Sequence, residues 1–155
     1  MQTAHGTVKH SCITDDMRAD NLTDEQVNAM VIAFTCGDCN VLAGAIERAY
    51  PETFEVVVNW RYFENEPHES FWNHALVRNK VTGELVDIEG VYTNADDYAA
   101  RGQFGSEYME IALPEETNYS LELQEDMRGR NDFEHLYEFP VEVALDYMRL
   151  KGWIG

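Results

Sequence analysis

Residues 39–49, Cys-Asn-Val-Leu-Ala-Gly-Ala-Ile-Glu-Arg-Ala, constrain the fold more than any other stretch of the chain. Val41, Leu42, Ala45, Ile46 and Ala49 recur at helical spacing, and Ala43, Gly44 and Ala45 leave the backbone nearly bare. Gly44 weakens intrinsic helix propensity by about 1 kcal/mol relative to alanine, so the helix must be held by close neighbours. It reads as a central helix over 39–50, capped by Asp38 and ended before Pro51. Upstream, Thr23-Asp24-Glu25-Gln26 matches a capping box, with Val27, Met30, Val31 and Phe34 following at i, i+3, i+4 and i+7. That pattern predicts a first helix stopping near Cys36-Gly37.

Downstream the period changes. Residues 54–60 are rich in β-branched and aromatic side chains and predict a strand. Residues 74–78 and 84–88 predict a hairpin around 79–83, where Gly83 can take the positive φ of a short turn. A short helix is expected over 93–100, begun by Asn94 or Thr93, with Asp96 and Asp97 near its N-terminus. Strands are expected at 109–113 and 119–123. Pro140 opens a final amphipathic helix through Val141, Ala144, Leu145 and Met148, which Gly152 can end. The expectation is one α+β domain over 1–155. It has an irregular arm at 1–22, a core at 23–90 in which the central helix packs on an antiparallel sheet, and an acidic second half at 91–155 carrying the C-terminal helix.

A chain of 155 residues with 45% hydrophobic content can bury a single core without staples. The net charge of −18 argues against direct binding to nucleic acid or anionic lipid and leaves room for a cationic partner or substrate. Ten acids face two arginines between Phe104 and Phe139, which reads first as a solvated face and second as the surface of a non-enzymatic acidic binding protein that mimics nucleic acid or occupies a basic partner. The start, MQTAHGTVKHSC, has no leader pattern, and no apolar run approaches the roughly 18 residues of a membrane helix. The three cysteines, Cys12, Cys36 and Cys39, do not form a disulfide framework, and a reducing, cytoplasmic setting is expected.

Cys36 and Cys39 admit three chemistries. A redox pair wants the C-x-x-C motif after a strand, whereas a capped helix precedes it here. Zinc wants a second ligand pair at short spacing, and none is present, although the isolated His68, His74 and His135 could contribute. In the third chemistry Cys39 is a nucleophile in the first turn of a helix, which demands an imidazole and a group to orient it. His74 and Asp87 supply these in chain order, with no cofactor or metal. Their indices sum to an odd number, so an even-length turn puts both on one face; a four-residue connection is expected to set them directly opposite, with Cβ atoms about 5 Å apart. Phe71, Trp72 and Trp60 are candidate walls of the cleft.

The order Cys39, His74, Asp87, together with the string Cys36-Gly37-Asp38-Cys39-Asn40, resembles the papain-like cysteine hydrolase and transglutaminase-like superfamily. The resemblance implies a papain-like core and an acyl-transfer activity on a peptide, protein or amide substrate. It implies Cys39 as attacking thiol, His74 as general base and acid, Asp87 as orienting residue, and Cys36 as a structural cysteine. Asn40 stands where an aromatic residue is common, and the Cys39 backbone N–H is the one oxyanion donor that the motif supplies.

Overall fold

The computed structural model describes residues 10–130 and 136–155, and helix α1 (Asp24–Cys36) starts where the capping box puts it. Thr23 accepts the Gln26 N–H at 3.1 Å, and the Gln26 side chain accepts the Thr23 N–H at 2.9 Å. The chain turns at Gly37-Asp38 into α2 (Cys39–Ala49), bent 93° from α1. No single helix among the described residues is long and apolar enough to cross a membrane. Of the expected arm, residues 1–9 lie outside the described residues. Residues 10–22 form turns that pack Met17 into the core.

Five strands follow: β1 (Phe54–Arg61), β2 (Phe71–Asn79), β3 (Leu85–Asp87), β4 (Gly90–Tyr92) and, after α3 (Ala95–Arg101), β5 (Glu110–Ala112). They form one sheet in the order β4-β3-β2-β1-β5, each neighbour antiparallel. Strand alternation divides its apolar residues. Val56, Val58, Trp60, Ala75, Val77 and Val86 join α1, α2 and the C-terminal helix α5 (Val141–Leu150) in the main core. Val57, Leu76, Leu85 and Tyr92 face the other side, where Tyr98 of α3 covers them. The α+β class and the central helix on an antiparallel sheet are as expected.

Residues 119–123 are not a strand. Ser120 caps α4 (Leu121–Met127) by accepting the Leu123 N–H, and strong helix formers in Leu-Glu-Leu-Gln-Glu-Asp-Met outweigh the short apolar alternation that suggested β structure. The end of α4 and the segment after it are clamped to α2: Asn40 Nδ2 donates to the Asp126 carbonyl at 2.8 Å and Arg48 to the Arg128 carbonyl at 3.3 Å. Arg128 in turn reaches Glu115 at 2.6 Å and Glu47 at 3.7 Å, so part of the acidic second half is buttress for the central helix.

Candidate active site

Cys39 is the first residue of α2, where backbone N–H groups have no intrahelical acceptor and the helix dipole favours negative charge. Asp38 precedes it at the cap position, but its side chain does not cap the helix. The fully buried carboxylate instead accepts the Leu136 N–H at 2.8 Å on one oxygen and the Tyr137 N–H at 2.9 Å on the other. Two backbone donors from a distant segment win it because a buried N–H without a partner is costly. The Cys39 sulfur lies against β2 and accepts the Ala75 N–H at 3.4 Å. That donor is free because the β2–β3 ladder runs only through Val77↔Val86 and Arg78↔Leu85, leaving a gap in the sheet beyond Val77.

His74 and Asp87 come together across that gap. The Asn79 N–H donates to the Glu84 carbonyl at 2.8 Å, and Gly83 takes φ 81°, as its turn position requires. Carried onward, the Val77↔Val86 register places Asp87 opposite Leu76, two residues along from His74. The direct pairing of His74 with Asp87 is therefore corrected to a diagonal one. Parity is preserved, so both side chains share a face, and a diagonal span is within reach of a ring and a carboxylate. His74 Nε2 and Asp87 Oδ2 lie 2.9 Å apart. Asp87 Oδ1 accepts the Glu89 N–H at 2.8 Å, which holds the carboxylate in place.

Two features had no signal in the sequence. The β1–β2 register slips after Asn59↔His74, resuming at Trp60↔Trp72, so Asn73 is a bulge that sets the aim of His74. Asn59 then donates through one amide nitrogen to Asn73 Oδ1 at 2.9 Å and to the Phe104 carbonyl at 2.7 Å. This draws Phe104 over His74, with ring centroids 4.7 Å apart. Phe104 sits in a loop without periodicity, and its contact with His74 arises only from folding. Of the aromatic walls expected, Trp60 is corrected to a core residue at 2% exposure, because its alternation on β1 turns it toward α2, while Phe71 is exposed.

Burial by itself would lower the affinity of His74 for its proton. The Asp87 hydrogen bond, followed by contact with the Cys39 thiol, outweighs burial and raises the imidazole from 6.5 to about 9. Nε2 is occupied by Asp87, and Nδ1 is buried without a hydrogen-bond partner, so Nδ1 is the nitrogen left for the sulfur. The folded ring binds its proton more tightly than the unfolded one, so its stabilisation is complete below about pH 6.5 and lost as pH rises through about 9, amounting to roughly 3 kcal/mol. The thermal midpoint of the wild type is expected to fall across that window, and His74→Gln to flatten the slope. A wild-type midpoint that holds or climbs there would contradict the assignment of a protonated His74.

The chain matches no protein-family model, no curated protein and no solved structure. The arrangement is therefore read on its own chemistry. Cys36 is exposed and Cys39 buried, neither in a disulfide, and no group of three or more His, Cys, Asp or Glu among the described residues could hold a metal ion. His68 is exposed and reaches only Glu69; His135, the remaining zinc candidate, lies outside the described residues.

Cys39 keeps 7% of its surface accessible and His74 none. The cavity beside them, lined by Phe34, Leu42, Ile46, Ala75, Val86 and Ile88 among others, measures about 10 Å³, room for one water.

Proposed function

We propose that the chain is a cysteine-dependent acyl-transfer enzyme in which Cys39 is the nucleophile, His74 the general base and acid, and Asp87 the residue that orients the ring. One observation carries this reading: a buried imidazole bonded to a carboxylate at 2.9 Å through one nitrogen, with its other nitrogen unpaired and a helix-start thiol beside it. A structural histidine buried at such cost would normally have both nitrogens satisfied. The Cys-His-Asp order and the helix-on-sheet packing support a place in the papain-like and transglutaminase-like superfamily.

In the mechanism, His74 already holds the thiol proton in an ion pair with Cys39, and the thiolate, held by the Ala75 N–H, attacks the carbonyl of a carboxamide, peptide or thioester. His74 returns the proton to the leaving group, and water or an amine then releases the acyl group from sulfur. The 10 Å³ cavity cannot hold an acyl chain, so side chains around the site must move on entry; Phe104 and Tyr98 both stack on the catalytic ring. The acidic surface favours cationic substrates, and three cysteines outside any disulfide suit a reducing compartment such as the cytoplasm.

Intact-mass spectrometry after exposure to an activated ester or thioester tests the reading. Wild type and Cys36→Ala should each gain one acyl group, and Cys39→Ala none. Acylation that persists in Cys39→Ala would remove the proposal.

A further inference from the structure

The site holds one more buried polar group than the triad uses. Tyr98 of α3 is 1% exposed, and its hydroxyl has no hydrogen-bond partner among the described residues. Its ring lies parallel to His74 within 2°, with centroids 6.5 Å apart, and packs edge-on against Tyr92 at 4.9 Å. A buried hydroxyl left unpaired costs about 1–3 kcal/mol, and phenylalanine would fill the same space without that cost.

The acceptors of the triad each hold a donor already. Asp87 uses Oδ2 for His74 and Oδ1 for the Glu89 N–H, and the Cys39 sulfur takes the Ala75 N–H. Burial first, then the Asp87 charge, hold the Tyr98 hydroxyl well above the ordinary tyrosine range, so it stays a donor at any working pH. A donor without an acceptor in the resting site is complementary to an acceptor that exists only during reaction.

We propose that Tyr98 is a catalytic residue whose hydroxyl donates a hydrogen bond to the oxyanion of the tetrahedral adduct on Cys39, alongside the Cys39 backbone N–H. This rests on Cys39 being the acyl-accepting nucleophile. The sulfur–carbon bond forms as the carbonyl π pair moves onto oxygen, and Tyr98 and the helix-start N–H receive that charge. On collapse the pair returns to carbon, the bond to the leaving group breaks, and the leaving group takes the proton held by His74.

Two electrophiles separate the roles. p-Nitrophenyl acetate passes through an oxyanion; iodoacetamide alkylates sulfur by displacing iodide at a saturated carbon and does not. Tyr98→Phe is expected to slow acetylation of Cys39 about 10²-fold, the effect of losing one oxyanion donor, and to leave alkylation at the wild-type rate. Its thermal midpoint should equal or exceed that of wild type, because an unpaired hydroxyl is removed. Equal slowing with both reagents, or none with either, would overturn the oxyanion role while leaving Cys39 as nucleophile. Identical acetylation of wild type and Cys39→Ala would instead remove the nucleophile, and the role of Tyr98 with it.

Discussion

Replacing His74 by alanine is expected to slow acylation of Cys39 about 10⁴-fold, the loss typical when one member of such a triad is removed. Among the described residues the imidazole is the base beside the thiol, and it holds the thiol proton for the leaving group from a position between Asp87 and Cys39. The substitution also leaves Asp87, 4% exposed, as a buried charge without its ring, which destabilises by about 3–5 kcal/mol. Asp87→Asn is therefore the informative companion. It preserves size but can present an amide N–H to Nε2, which reverses the tautomer and leaves Nδ1 carrying the proton where an acceptor for the thiol proton is needed. Acylation should fall by about 10³- to 10⁴-fold with the fold retained, and the His74 midpoint, followed by the NMR shift of its ring proton, should move down from about 9. Rates for both variants close to wild type would show that sulfur, ring and carboxylate do not act together.

Gly44→Ala is expected to destabilise by about 3–5 kcal/mol, against what helix propensity alone says. Propensity favours alanine by about 1 kcal/mol in a helix interior. An added Cβ, however, would stand 1.8 Å from the Arg128 carbonyl oxygen and 2.6 Å from its carbon. That carbonyl cannot retreat cheaply, because its segment is fastened to α2 through Asn40, Arg48 and the Glu47 pair of Arg128, and to Glu115 through the same guanidinium. Backbone against backbone decides the sign. Chemical denaturation should show a lowered midpoint and reduced Cys39 acylation at ambient temperature. Stability equal to or above wild type would mean that the α2–α4 clamp is looser than its geometry shows.

The parts of the fold legible in the sequence were those governed by neighbours along the chain. The capping box at Thr23 and Gln26, the small-residue helix after Asp38, the β-branched run at 54–60 and the positive-φ turn at Gly83 each follow from contacts within a few residues. Residues 119–123 were misread because five residues are too few to separate period 2 from period 3.6, and the Ser120 cap carried the decision. Asp38 stands where a cap for its own helix is expected, yet its carboxylate serves Leu136 and Tyr137, nearly a hundred residues away, which no local rule anticipates.

The candidate site divides along the same line. Residue type, order and parity along the sequence determined that Cys39 starts a helix and that His74 and Asp87 share one face of a hairpin, because helical and strand periods are properties of the chain itself. Only tertiary structure decided that the ladder opens beyond Val77 to admit a sulfur, that the Asn73 bulge turns His74 toward it, and that Asn59, Phe104 and Tyr98 enclose the ring. Those outcomes depend on which backbone groups find partners once distant segments are packed. Loop residues such as Phe104 carry no periodicity that would report their neighbours in advance.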